Sequence, residues 1–335
     1  MASDMLAWGA ELVTPALRKA VDTLPDSMRS VAGYHLGWWD EQGRPTDENA
    51  GKLLRPTLAL LAGRAVGGPA DAALPAAVAV ELVHDFSLLH DDVMDGDTTR
   101  RHRRTAWHVF GVNAAILAGD ALLTLAFDVL AASAHPAARG AMRSLSAAVQ
   151  DLVDGQSADV SFERRTDVSL AECGAMAERK TGALLGRASA LGAAFGGGDA
   201  ERVDGFRRFG ERLGLAFQLV DDLLGIWGDP RVTGKPVHSD LRSRKKSLPV
   251  VAALCSDTPE AAELAALYHL DGPLSDDDLA HVADLVERAG GRAWSQARAD
   301  ELLAEALGHL MMTHPEPVAA AELTAVANLI TRRDH

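Results

Sequence analysis

The chain has 335 residues, 47% of them hydrophobic, enough to bury one large domain or two. Its formal net charge of −14 disfavours nucleic-acid binding, which goes with a basic surplus. Cys173 and Cys255 stand in no metal-ligand spacing and fit a reduced, cytoplasmic setting; the N-terminus lacks the features of a signal peptide, and no stretch reaches the roughly 18 apolar residues of a membrane span, so a soluble protein is expected.

In chain order, residues 1–50 read as an N-terminal extension plus a first helix. Their "GWWDEQGRPTDENAG" is explained as well by packing of Trp38 and Trp39 as by an interaction signal. A helix follows Pro56, a good first-turn residue. An apolar helix runs from Pro75 to Asp95 and stops at Gly96, and another starts at Thr105. Further helices cover 140–162, 169–195 and 202–227. Alanine and leucine dominate and no segment alternates with period 2. The pattern predicts an all-α bundle whose inner helices are apolar almost all round. Gly228 to Ser247 is irregular and too long for a simple connection. Gly196 to Gly198 is a loop. Ser275 before Asp276, Asp277 and Asp278 reads as a helix N-cap with an acidic first turn, not a metal site. "LLHDDVMD" and "QLVDDLLG" echo each other, each closing an apolar helix. If the two face each other across one bundle, residues 1–335 form a single domain.

"LLHDDVMDGDTTRRHRR" carries the strongest chemical signal. Asp91 and Asp95 are i, i+4 on a helix, so their carboxylates converge. His84 and Leu88 continue the same stripe, with His84 about 10 Å back along the axis. Asp92 is turned away by about 100° and plays a supporting part. Two carboxylates without His or Cys suit a hard cation such as magnesium, which completes its shell with water and phosphate. Arg100 and Arg101 can grip phosphate oxygens with forked donors. A solvated acidic helix end before a basic turn is the plainer alternative, but Asp is unfavourable at a helix C-terminus.

In "AFQLVDDLLGIWGDP" Asp221 could hold one cation, with Gln218 about one turn earlier. Gly225 stands where a second converging carboxylate would be, and a lone Asp pair capping a helix is the bland alternative. Lys52 and Arg55 form an anion grip near a helix start, though most such pairs are solvated charges. Lys180 and Thr181 interrupt an apolar helix. Lys235 and Lys245 lie in the irregular segment, placed to close over an anion.

From about Gly51 to "ITRRDH" the chain resembles the trans-isoprenyl diphosphate synthases, the polyprenyl synthetase family, and within it the bacterial geranylgeranyl type. "GKLLRP", "LLHDDVMDGDTTRR", "KTGALL", "FQLVDDLLGIWGDP" and "GKPVHSDLRSRKKSLP" match its elements in order. The resemblance implies a helical fold around a central cavity, usually as a homodimer. It implies head-to-tail condensation of isopentenyl diphosphate with a dimethylallyl, geranyl or farnesyl diphosphate. By position, Asp91, Asp95 and Asp221 would bind three magnesium ions, with manganese as a substitute. Arg100, Lys180, Lys235 and Lys245 would hold the allylic diphosphate, and Lys52, Arg55, His84 and Arg101 the isopentenyl diphosphate. Thr181, Gln218 and the backbone at Lys180 would stabilise an allylic cation. Arg332 and Arg333 fold back towards isopentenyl diphosphate in relatives; a frayed tail is equally consistent.

Two positions depart from the family pattern. Gly225 replaces the last aspartate of the second motif, and Arg244 stands where a glycine usually precedes the lid lysine. Phe86 with Ser87, five and four residues before Asp91, resembles the twenty-carbon type; a packed core role for Phe86 is the alternative. Two rival functions are a terpene cyclase on the same fold and a catalytically silent partner subunit. Gly225 leans to the cyclase, while the set Lys52, Arg55, His84 and Arg101 leans against it.

Overall fold

The computed structural model describes residues 2–46, 51–233, 236–268 and 272–332. The chain enters through α1 (Ala2–Val21) and α2 (Asp26–His35). Next come α3 (Leu54–Ala65) and, after a 3₁₀ turn at Ala70–Ala73, α4 (Leu74–Met94). A two-residue hairpin, β1 (Thr99–Arg100) and β2 (Arg103–Arg104), precedes α5 (Ala106–Phe110), α6 (Val112–Ala131) and α7 (Ala138–Phe162). Helix α8 (Leu170–Ala177) passes through a π turn (Glu178–Gly182) into α9 (Ala183–Phe195). The long α10 (Ala200–Trp227) leads to the short α11 (Pro230–Thr233) and α12 (Ser239–Arg242). The chain closes with α13 (Leu248–Leu254), α14 (Pro259–Tyr268), α15 (Asp276–Arg288), α16 (Gly291–Met312) and α17 (Pro317–Thr331).

The all-α expectation holds. Helix α10 packs on α9 and α16, α4 on α6, and α3 on α9. The inner helices are apolar almost all round because they are enclosed on every side. In α3, Leu58, Leu60 and Leu61 point in different directions, yet none is exposed to solvent. Ser275 caps α15 through a reciprocal pair with Asp278, as its sequence suggests. Trp38 and Trp39 are packing residues: the Arg18 guanidinium lies 5.2 Å from the Trp38 ring centroid, and Trp39 Nε1 donates to the Ser30 carbonyl at 2.8 Å.

Three expectations need correction. The helix expected from Thr105 is broken at Gly111, whose φ of 88° no L side chain holds easily, giving α5 and α6. The hairpin was not expected, because two residues per strand are too few to show alternation. Two helical segments, Asp71–Met94 and Val112–Ala131, are long and apolar enough to cross a membrane by length and composition, against the sequence reading. Most of the first lies in the core, whereas well under half of the second is buried.

Helix α7 reaches the π turn through Gly155. A Cβ there would stand 2.5 Å from the backbone nitrogen of Lys180. Gly155→Ala is expected to destabilise the fold by about 1–3 kcal/mol through overpacking. Urea unfolding checks this as a lower midpoint at unchanged slope.

Candidate active site

A cavity of about 610 Å³ opens between α3, α4, α7, α10 and the π turn. That is within the usual size of a small-ligand site. Asp91, Asp95, Asp221, Lys180, Thr181, Gln218, Lys52, Arg55, His84, Arg100, Arg101 and Lys245 all line it. Lys235 lies outside the described residues, as does Arg333; Arg332 is exposed.

Helix α4 supplies two stations on one stripe. At its C-terminal end Asp91 and Asp95 face the cavity. Burial pushes the Asp91 carboxyl up to about 6, with Lys180 opposing and Asp95 adding to the rise. Burial also raises Asp95, against the pull of Lys180 and Lys245. Two turns back, Arg55 Nη1 lies 3.0 Å from His84 Nε2. Guanidinium nitrogens only donate, so His84 Nε2 accepts and the ring is neutral. Burial, reinforced by Arg55, Arg101 and Arg100, lowers His84 well below its ordinary value in agreement.

The arginine hairpin is placed from both sides. The sequence reading gave Asp92 a supporting part, and the structure shows it: buried Asp92 accepts from Arg100 Nε at 2.8 Å and Nη2 at 2.7 Å. Arg101 and His102 form the turn with φ of 51° and 63°, a left-handed pair normally filled by Asn and Gly. The strain is held by Arg103. Its guanidinium donates to the carbonyls of Tyr34 at 2.9 Å and Trp39 at 3.0 Å and sits 4.4 Å from the Tyr34 ring centroid. The N-terminal region therefore positions Arg101 without touching the cavity at these residues.

The π turn aims Lys180 and Thr181 inward together; such bulges are frequent at functional sites. Lys180 Nζ donates to Asp159 at 2.6 Å and lies 4.0 Å from Asp91. Thr181 Oγ1 donates to Gln218 Oε1 at 2.6 Å, and Gln218 Nε2 donates to buried Asp222 at 2.7 Å. Burial alone would lower Lys245, but Asp240 and Asp222 hold it above its ordinary value.

Sequence reasoning missed Asp159 and Glu81, both of which line the cavity. A signal was available for Glu81, the one acid in the apolar run from Leu74 to Val83; Asp159 shares α7 with Asp151 and Asp154 and carries no such mark. Burial and Asp85 push the Glu81 carboxyl up to about 8, with Arg55 opposing. Of the chain-length pair, Ser87 lines the cavity. Phe86 packs in the core, its ring edge-on to His90 with centroids 4.9 Å apart.

Both departures have structural accounts. A Cβ on Gly225 would stand 2.4 Å from the carboxyl carbon of Asp240, so a carboxylate from α12 occupies that space. Arg244 adopts φ of 54°, the backbone that a glycine takes freely. Its guanidinium is anchored on the carbonyls of Tyr268 at 3.0 Å and Gly272 at 2.6 Å.

Among the described residues, no three His, Cys, Asp or Glu side chains gather into a ready metal cage. The donor set nonetheless fits a hard cation. Magnesium takes one or two carboxylates and fills its shell with water and phosphate, and Asp91 with Asp95 offers that arrangement.

The family model for polyprenyl synthetase matches residues 40–286. The chain is 47% identical over 332 residues to (2E,6E)-farnesyl diphosphate synthase of Mycobacterium tuberculosis, covering 98% of this chain and 92% of that protein. It is 44% identical over 321 residues to geranylgeranyl diphosphate synthase of the same organism, covering 96% and 91%. The crystal structure of polyprenyl synthetase from Streptomyces coelicolor A3(2) superposes with a TM-score of 0.94 at 47% identity, over 98% of this chain and 99% of that one.

Arg103→Ala removes two hydrogen bonds and a ring contact behind the hairpin. Affinity for inorganic diphosphate is expected to fall about tenfold, or about 1.4 kcal/mol, although Arg103 does not line the cavity. Calorimetric titration measures it.

Proposed function

The chain belongs to the polyprenyl synthetase family and is a trans-prenyl diphosphate synthase, and we propose that it condenses isopentenyl diphosphate head-to-tail with an allylic diphosphate in this cavity. One observation carries the reading: α4 presents a carboxylate station at Asp91 and Asp95, and two turns back its neutral His84 meets the Arg55 guanidinium of α3 in a cationic station of the same cavity. The first suits an allylic diphosphate held through cations. The second suits an isopentenyl diphosphate held directly.

Magnesium held by Asp91, Asp95 and Asp221, three ions with substrate present and replaceable by manganese, would supply neutralisation of charge on the leaving diphosphate. The chain's own residues do the rest. Lys180, Arg100 and Lys245 offer fixed positive charge to the allylic diphosphate, with Lys235 assigned there by family position. Lys52, Arg55, His84 and Arg101 orient isopentenyl diphosphate so that its double bond faces the allylic carbon. The allylic C–O bond breaks and its electron pair leaves with diphosphate. The isopentenyl π pair forms the new C–C bond, and a proton passes from the adjacent carbon to the released diphosphate. Thr181 and Gln218 meet the intermediate cation with oxygen dipoles, a preorganised electrostatic role. Holding both reactants in line supplies a further share of the acceleration.

Ser87 leaves the cavity wall small where the chain grows, which supports a twenty-carbon geranylgeranyl product. The fifteen-carbon farnesyl product is the alternative, and the relatives named above include a synthase of each. The cyclase reading loses its main support, because Asp240 fills the space over Gly225. The silent-partner reading conflicts with Asp91, Asp95 and Asp221 all lining the cavity. A homodimer is supported by the apolar face of α6, where Val112, Ile116 and Leu117 are exposed. A cytoplasmic setting is supported by the free thiols Cys173 and Cys255.

Purified protein, magnesium, labelled isopentenyl diphosphate and each allylic starter should yield a labelled prenyl diphosphate whose length reads the role of Ser87. Asp91→Ala should lower turnover about 100-fold or more. Failure to incorporate label overturns the proposal, and full activity of the variant overturns the metal assignment. A second expectation concerns pH. The Asp91 carboxyl must be ionised to hold a cation, and burial raises it to about 6. Magnesium affinity, titrated calorimetrically with inorganic diphosphate present, should weaken as pH falls through that value.

A further inference from the structure

Asp222 lies beside the proposed metal ligand Asp221 and gives its carboxylate to Gln218 and the Leu248 backbone. It is 4% exposed and accepts two hydrogen bonds, from Gln218 Nε2 at 2.7 Å and from the Leu248 backbone nitrogen at 3.0 Å. In its ionised form Asp222 has no hydrogen to give, so the group that Gln218 turns towards it is the amide NH₂. That choice fixes the whole side chain. Gln218 Oε1 then faces Thr181, 2.6 Å from its hydroxyl oxygen. A carbonyl oxygen cannot donate, so Thr181 gives its hydrogen to Gln218. Only lone pairs remain on Thr181 for other contacts.

All three side chains line the cavity wall. The hydroxyl and amide dipoles are aligned with their oxygen ends away from Asp222, and an anion stands behind them. In a buried, low-dielectric wall such a chain is polarised along its length. We propose that Asp222 is a positioning residue for the condensation: it locks Gln218 and Thr181 in the one hydrogen-bond direction that presents oxygen lone pairs to the allylic cation. The inference rests on the proposed condensation and on the placing of Thr181 and Gln218 beside its cation.

Asp222→Asn separates this role from a purely structural one. The Leu248 N–H cannot turn, so the Asn carbonyl oxygen stays with it and preserves the tie to α13. The Asn NH₂ then faces Gln218, which must rotate its amide and turn NH₂ towards Thr181. Thr181 becomes an acceptor and swings its O–H into the cavity, the wrong polarity for a cation.

The test is single-turnover kinetics, with KM values for both diphosphates, on wild type, Asp222→Asn, Gln218→Leu and the double variant Asp222→Asn/Gln218→Glu. The expected result is an Asp222→Asn chemical step slower by about 100-fold with both KM values within about twofold of wild type. The double variant is expected to recover to within about tenfold, because a glutamate at 218 accepts from both Thr181 and the Asn NH₂. It carries the same change at residue 222, so its recovery cannot arise from repaired folding. A slow Asp222→Asn with an equally slow double variant assigns the loss to structure and overturns the proposal. A wild-type rate for Asp222→Asn beside a slow Gln218→Leu also overturns it, while leaving the cation role of Gln218 standing. Wild-type rates for both single variants overturn that role as well. Absence of product from the wild type overturns the condensation itself.

Discussion

The Lys180 ammonium is the pivot of the site. It sits 2.6 Å from Asp159 on α7 and 4.0 Å from Asp91 on α4, joining two helices through one partly buried charge. Without a cation, neighbouring carboxylates in a poorly solvated cavity would neutralise by taking up protons. Burial already pushes Asp91 in that direction, and Lys180 is the largest influence opposing it. Breaking a buried pair by removing one partner typically costs about 3–5 kcal/mol, because the other charge is left uncompensated. The π turn that carries Lys180, and the glycine contact that lets α7 approach it, follow from this demand.

The rest of the scaffold serves a related purpose, namely to keep the carboxylates at the end of α4 apart from the Arg55 guanidinium that α3 sets beside His84. Helix α4 runs 21 residues through the core, and its outer faces are covered by α3 and α6. One stripe is left open to the cavity. Asp91 and Asp95 end it, and His84 with Arg55 lies two turns behind. The hairpin joins the stations because Arg100 turns to Asp92 while Arg101 faces the cavity from the next position. Neither arginine could hold this geometry alone. The turn between them is strained, and Arg103 with Tyr34 over-determines it from outside the site.

Much of this was legible in the sequence, and the limit was set by range. Features that repeat within one helix could be read directly. The stripe His84, Leu88, Asp91 and Asp95 follows from helical periodicity, as does the turning away of Asp92. Features that depend on a distant partner could not be read. Asp159 gains its meaning only from Lys180, 21 positions along the chain. Gly225 looked like a lost ligand until α12 placed the Asp240 carboxylate against it. Phe86 looked like a cavity wall by position, yet its ring packs in the core against His90, and Ser87 faces the cavity instead. The π turn and the two-residue strands are too short to leave a periodic trace.

In the proposed condensation, the aspartates of α4 and α10 are two halves of one diphosphate site bridged by divalent cations. Manganese anomalous scattering from crystals grown with inorganic diphosphate tests this directly. The expected result is manganese bonded to oxygens of Asp91 and Asp95 and a further ion at Asp221, all contacting one diphosphate that also meets Lys180. Manganese at only one of the two helices, or a diphosphate bound with no ion between it and Asp91, would contradict it.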